Sequence, residues 1–226
     1  MKQLFDQQVE AIQRSSKGKR ILFASVPADG HVNPLTGIAV HLKNLSYDVR
    51  WYVSSAYAAK LAKLNIPHYT YIQALEVTTD NINDVFPDRL KAKSHVARLN
   101  YDLKHFFIDR APEYFDDIKA IYQSFPFDLM IADCAFTAIA FVEQKLKVPT
   151  IAMGIIPLLA KSKDLPPYGL GMQPSNTLFG KIKQRMLGVI AEKILFKPSN
   201  EALKQLCAEH DLSYEGQDVF NYNLDK

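Results

Sequence analysis

The sequence predicts a doubly wound α/β domain built on one parallel sheet. Apolar runs of strand length alternate with segments of helical spacing, and residues 20–44 read as a strand, a short turn and a helix in immediate succession. A chain of 226 residues suits one large domain with a sizeable core. Alternation of this kind calls for parallel strands with helices on both faces of the sheet.

Residues 1–16 place Phe5, Val9 and Ile12 at helical spacing, which predicts a short amphipathic helix before the sheet, joined to it by polar residues up to Lys19. Residues 20–26 (RILFASV) form a nearly unbroken apolar run, as expected of a strand buried on both faces. The turn PADGH follows, and Asn33 with Pro34 makes a good helix start: Asn caps free amides, and Pro in the first turn sacrifices no hydrogen bond. The pattern repeats with a strand at 48–53, a helix at 56–64 and a third strand at 68–72 after Pro67. Residues 80–93 are a polar excursion. Residues 96–122 read as mostly helical, with Pro112 at a break or a new start. A fourth strand at 127–132, a helix at 137–146 and a fifth strand at 149–153 complete the alternation. A Pro- and Gly-rich loop then runs to about residue 176, followed by helices near 178–196 and 200–210 and a polar tail. The expected division is an N-terminal helix and joint over 1–19, the sheet domain over 20–200, and a C-terminal helix and tail over 201–226.

Composition narrows the function classes. The 48% apolar and 23% charged residues are those of a folding globular chain. The net charge of +3 conceals an asymmetry: residues 161–197 carry seven basic side chains against two acidic, and residues 198–226 six acidic against two basic. No dense Lys/Arg cluster interleaves with aromatic residues, so nucleic acid is not expected as a partner. Cys134 and Cys207 stand alone, without metal-ligand spacing, and fit a reduced, cytoplasmic setting with neither zinc nor a disulfide framework. The start lacks the continuous apolar run of a signal peptide. The runs at 129–142 and 148–160 fall short of the roughly 20 residues of a spanning helix. Peripheral membrane contact remains open through KIKQRMLGVIAEKILFK (181–197), which reads either as a basic amphipathic face or as a solvated helix.

In open α/β sheets ligands bind at the carboxyl ends of the strands, where the strand order reverses. With the order 3-2-1-4-5, the first and fourth strands are neighbours there. His31, after the first, and Asp133, at the end of the fourth, are thereby expected to meet although about a hundred positions apart. A carboxylate that orients an imidazole and stabilises its protonated form is a general-base arrangement. The competing reading has His31 satisfying nearby backbone groups and Asp133 capping the helix near Thr137. His41, His68, His95, His105 and His210 show no metal-ligand pairing. Gly30, Phe86, Phe106, Phe107, Tyr168 and Met172 are the candidates for lining a ligand pocket, which would be mostly apolar, with core packing the alternative for the large side chains.

The run ILFASVPADGHVNPLTGIAVHLKNLSYDVRWYVS closely resembles the first strand, GHVNP turn and helix of GT-B glycosyltransferases, especially the UDP-glycosyltransferase superfamily and its bacterial macrolide-glycosyltransferase-like members. FDLMIADCAFTAIAFVEQKLKVPTIAMG resembles that family's fourth strand, acidic residue and fifth strand, and KDLPPYGLGMQPS its following loop more loosely. Residues 72–125 carry little of the likeness. The resemblance implies a Rossmann-like amino-terminal, acceptor-binding half of a GT-B fold. His31 would be the general base toward an acceptor hydroxyl and Asp133 its partner, in an inverting transfer from a UDP-sugar to a small, apolar, hydroxylated acceptor. No metal or other cofactor is implied beyond the nucleotide sugar as co-substrate.

The sequence carries no glycine-rich phosphate turn after a later strand and no counterpart of the family's His-Cys-Gly and Asp/Glu-Gln donor box. Gly30 and Gly37 also miss the spacing of a dinucleotide turn. The expectation is therefore an acceptor-binding half, a truncated product or one subunit of a split enzyme, that meets its UDP-sugar through a missing donor-binding domain or second subunit and transfers little alone. A fragment of a GT-B sugar-nucleotide epimerase and a non-catalytic ligand-binding module are the competing readings.

Overall fold

The computed structural model describes residues 17–155, 165–166 and 172–223. The expected N-terminal helix and Tyr168 lie outside the described residues. Strands β1 (Arg20–Ala24), β2 (Asp48–Val53), β3 (His68–Thr70), β4 (Leu129–Asp133) and β5 (Thr150–Met153) form one sheet in the order β3-β2-β1-β4-β5. All four pairings are parallel, and β1 sits between β2 and β4, with Ala24 opposite both Tyr52 and Ala132. The order reverses between β1 and β4, which fixes where a ligand crevice can open.

The apolar run of β1 is unbroken because both faces of the sheet are covered. Ile21 and Phe23 point into one cluster with Val32, Leu35, Trp51, Leu61 and Ile131, beneath α1 (Asp29–Asn44) and α2 (Ala58–Lys63). Leu22, Ala24 and Val26 point into the other, with Tyr52, Tyr114, Ile118, Met130 and Phe136. That face is covered not by α3 (His95–Asp102), which packs Leu99 against Ala191 and Phe196, but by α4 (Ala111–Ser124) and α5 (Ile139–Phe141). Side chains that alternate strictly across a two-faced sheet each contribute about 1.5–3 kcal/mol when fully buried.

Helix α1 starts earlier than the Asn33-Pro34 signal predicts. Ala28 is its first, extended residue, without a side-chain cap, and its carbonyl accepts from the His31 and Val32 amides at 2.9 and 3.0 Å. The short β1–α1 turn leaves no room for a later start. Asn33 therefore does not cap; it bonds Lys60 Nζ, and Pro34 lies inside the helix. The amide that Pro34 lacks would have bonded Gly30, which is exposed, so water can take that carbonyl. His31 is thereby lifted from a loop onto the rigid first turn of a helix.

β3 ends at Thr70 rather than at 72, because the Ile72, Gln73 and Ala74 amides are taken by the Asp117 carboxylate at 2.8–3.2 Å instead of by a ladder. The helical stretch 96–122 is α3, a π-helical turn over Leu103–Ile108, and α4, whose first turn holds Pro112. The helix expected at 137–146 is the short α5 followed by π-helical Val142–Leu146. Helices α6 (Leu178–Ile190) and α7 (Lys197–Glu209) follow β5. α7 runs across the expected division at residue 200 and packs Leu203, Leu206 and Cys207 against Ile108, Ala140 and Phe141. Leu212 and Tyr222 join the same cluster.

Candidate active site at the carboxyl ends of β1 and β4

The strand order brings His31 and Asp133 together. His31 Nδ1 stands 2.8 Å from Asp133 Oδ1 across 102 residues of sequence. Asp133 has no exposed side-chain surface, whereas His31 retains 19% of its own. The carboxylate is anchored by backbone: Oδ2 accepts from the Val26 amide at 2.9 Å, and Oδ1 also accepts from the Ala135 amide at 2.9 Å. The alternative expected for Asp133, capping the helix near Thr137, does not form: α5 follows Ala138 without a side-chain cap, and the Ala135 bond closes the turn directly after β4 instead. A carboxylate can only accept, so His31 donates from Nδ1–H, and in the neutral imidazole that tautomer puts the lone pair on Nε2. No described residue bonds that nitrogen.

The Val26 amide is itself held in place from below. Ser25 is buried, its Oγ accepts from Trp51 Nε1 at 3.0 Å, and its carbonyl accepts from the Tyr71 hydroxyl at 2.8 Å. Tyr71 and Tyr114 lie beneath the pair, and burial pushes both hydroxyls well above the ordinary tyrosine range. They are neutral hydrogen-bonding groups, not bases. Cys134, next in sequence to Asp133, is likewise pushed up, first by burial and further by the Asp133 charge, so it stays a thiol and offers no nucleophile at neutral pH.

Of the expected pocket residues, Phe107 is brought to the pair, its ring centroid 6.2 Å from that of His31. The π-helical turn that carries it is tied to the β4 side by Thr137 Oγ1, which donates to the Phe107 carbonyl at 2.6 Å. Phe106 is buried and packs edge-on against Phe107 at 4.8 Å, so it backs that wall without facing the pair. Phe86 packs with Tyr101 and His105. Gly30 is exposed in the first turn of α1 with open space where a side chain would stand, and Met172 is half-buried without a contact to the pair. Among the described residues no group of three or more His, Cys, Asp or Glu side chains stands so as to hold a metal ion.

Two residues of this region escaped the sequence reading. Asp117 binds the Tyr52 hydroxyl at 2.7 Å as well as the three amides after β3. It occupies a core position of α4 beside Tyr114, Ile118 and Ile121, and a lone acid on an apolar helix face was the available signal. Asn223, in the tail, donates to the Cys134 carbonyl at 3.1 Å and so braces the turn that follows Asp133. Nothing in the local sequence marks it.

A parallel sheet in this order, with a histidine on the first turn of α1 facing an acid at the end of β4, has the fold of the amino-terminal, Rossmann-like half of a GT-B glycosyltransferase. The chain is similar to 4'-demethylrebeccamycin synthase of Lentzea aerocolonigenes, 24% identical over 180 residues covering 80% of this chain and 42% of that protein. It is also similar to UDP-glycosyltransferase 2 of Phaeomoniella chlamydospora, 23% identical over 177 residues, 75% of this chain and 39% of that one. Among solved structures, the glycosyltransferase of kitacinnamycin superposes with a TM-score of 0.60 at 16% identity, over 92% of this chain and 44% of that one. No family model matches the chain. The chain spans less than half the length of the curated relatives it matches.

Proposed function

We propose that this chain is the acceptor-binding half of an inverting glycosyltransferase and that His31 is its general base. The observation that carries the reading is the wholly buried Asp133, anchored by two backbone amides and holding His31 Nδ1 at 2.8 Å while Nε2 has no described partner. In that geometry Nε2 takes the proton of an acceptor hydroxyl. The freed oxygen forms its bond to the anomeric carbon of a nucleotide sugar as the bond from that carbon to the diphosphate oxygen breaks, and the configuration inverts. Asp133 keeps the imidazole in the required tautomer and stabilises the positive charge it acquires. Phe107 supplies an apolar wall suited to a small hydroxylated acceptor. The donor, by likeness to the UDP-glycosyltransferase relative, is a UDP-sugar.

The donor is held by a complementary domain or subunit. Holding donor and acceptor in register in this way can contribute about 7–11 kcal/mol to such a step. The test combines the chain with a donor-binding half and measures UDP release and glycoside formation over a panel of apolar hydroxylated acceptors. His31→Ala is expected to lower transfer by about a hundredfold or more. Unchanged transfer removes the general-base role. On the isolated chain, 15N NMR of His31 is expected to show the Nδ1–H tautomer, shifting to the other form or to a mixture in Asp133→Asn.

A further inference from the structure

Helix α6 is built inside out. Leu178, Phe179, Ile182, Met186, Val189 and Ile190 are exposed, Leu178 by 79% and Phe179 by 80%. Gln184 is the buried residue of the helix, and its Oε1 finds no hydrogen-bond partner. A helix covering a core directs its apolar stripe inward and its amides outward. Here the stripe recurs at steps of three and four residues on the outer face, and Ile194, 65% exposed in the π-helical turn over Ala191–Leu195, continues beyond it.

Cations edge the stripe. At 3.6 residues per turn Lys181 and Arg185 fall along one flank and Lys183 along the other, with Lys193 beyond the carboxyl end. Glu192 is the one acid from Lys181 to Lys197. The amino-terminal end, where the two most exposed apolar side chains stand, is fixed in place. Thr177 Oγ1 accepts from the Gly180 amide at 3.1 Å, and Ser175 and Thr177 fold so closely over Gly180 that any Cβ there would collide with them.

We propose that this face of α6 docks on an anionic lipid membrane, the helix lying flat with its apolar stripe at the acyl boundary and its lysines and arginine at the phosphates. Charge complementarity selects that occupant. A second copy of the chain pairing through the same stripe would set two cationic flanks against each other with one Glu192 per helix to offset them. Among the described residues no helix is long and apolar enough to cross a membrane, so the contact is one of surface binding.

The test is cosedimentation of the 226-residue chain with vesicles of phosphatidylcholine alone and of phosphatidylcholine containing about one-third phosphatidylglycerol. Binding to the anionic vesicles and not to the neutral ones is expected. The Leu178→Ser/Phe179→Ser double variant should lower partitioning at least about tenfold, and Lys181→Gln/Lys183→Gln/Arg185→Gln together about a hundredfold. Emission from Trp51, buried in the core, checks that each variant stays folded. Three results overturn the proposal: no vesicle binding, binding that survives loss of Leu178 and Phe179, or a concentration-dependent dimer that the Leu178/Phe179 variant dissolves.

Discussion

His31 and His105 each hold a carboxylate 2.8 Å from Nδ1, yet the two pairs are built differently. His105 and Asp109 are one helical turn apart on the same segment, 33% and 28% exposed, and Asp109 is shared with Lys104. His31 and Asp133 come from opposite halves of the chain, and Asp133 is sealed from water with two backbone amides on its oxygens. Charges that water reaches are screened and held in one geometry only at an entropic cost, whereas a sealed and anchored carboxylate acts at lower effective dielectric. Contact length alone does not distinguish them. What sets the first pair apart is a carboxylate sealed from water and held by two backbone amides so that it cannot turn away.

A third carboxylate breaks the comparison in the other direction. Asp117 is as buried as Asp133 in practice, at 4% exposed, and accepts from the Tyr52 hydroxyl and three amides, but no histidine faces it. Its role is to hold the chain after β3. Asp117→Ala strands four donors, each costing about 1–3 kcal/mol when buried and unmatched, with relaxation into water returning part of it. The expected loss is about 3–5 kcal/mol by urea denaturation, with faster hydrogen exchange at Ile72, Gln73 and Ala74 and none at Val26.

Asp133→Ala comes next, with a loss of about 2–4 kcal/mol because it strands the Val26 and Ala135 amides along with His31. Its exchange signature is the converse, faster at Val26 and Ala135 and unchanged at 72–74. A loss below about 1 kcal/mol would mean that the anchoring described for Asp133 is dispensable.

Much of this was legible in the sequence for a physical reason: the information was periodic or topological. Two-faced apolar runs such as RILFASV dictate central parallel strands, and the order that places β1 beside β4 predicts the meeting of His31 and Asp133 without any contact being known. Elements set by single side chains acting over long range were not legible. The Asn33-Pro34 signal was overridden by the tight turn at Ala28, and β3 was cut short by an acid more than forty residues away. The packing of α7 on Phe141 and Ile108 was likewise out of reach, because an apolar helix stripe does not say which element it faces. For α6, periodicity revealed an apolar stripe but not its direction, because only the partner across a helix decides which face is inside.

The smallest expected effect sharpens the comparison from its exposed side. Asp109→Asn removes the charge that His105 and Lys104 share while leaving a polar side chain of the same size in a half-exposed position. Exposed ion pairs contribute about 0.2–1 kcal/mol and lose most of that in salt. The variant should therefore unfold within about 1 kcal/mol of the parent in dilute buffer, and the gap should close further as salt is raised toward 1 M, where screening reaches about 3 Å. The gap for Asp133→Ala should stay nearly constant over the same range, since its loss is one of unmatched buried donors. If both gaps shrank alike with salt, the two pairs would share one electrostatic character, and burial would no longer separate the site from the surface.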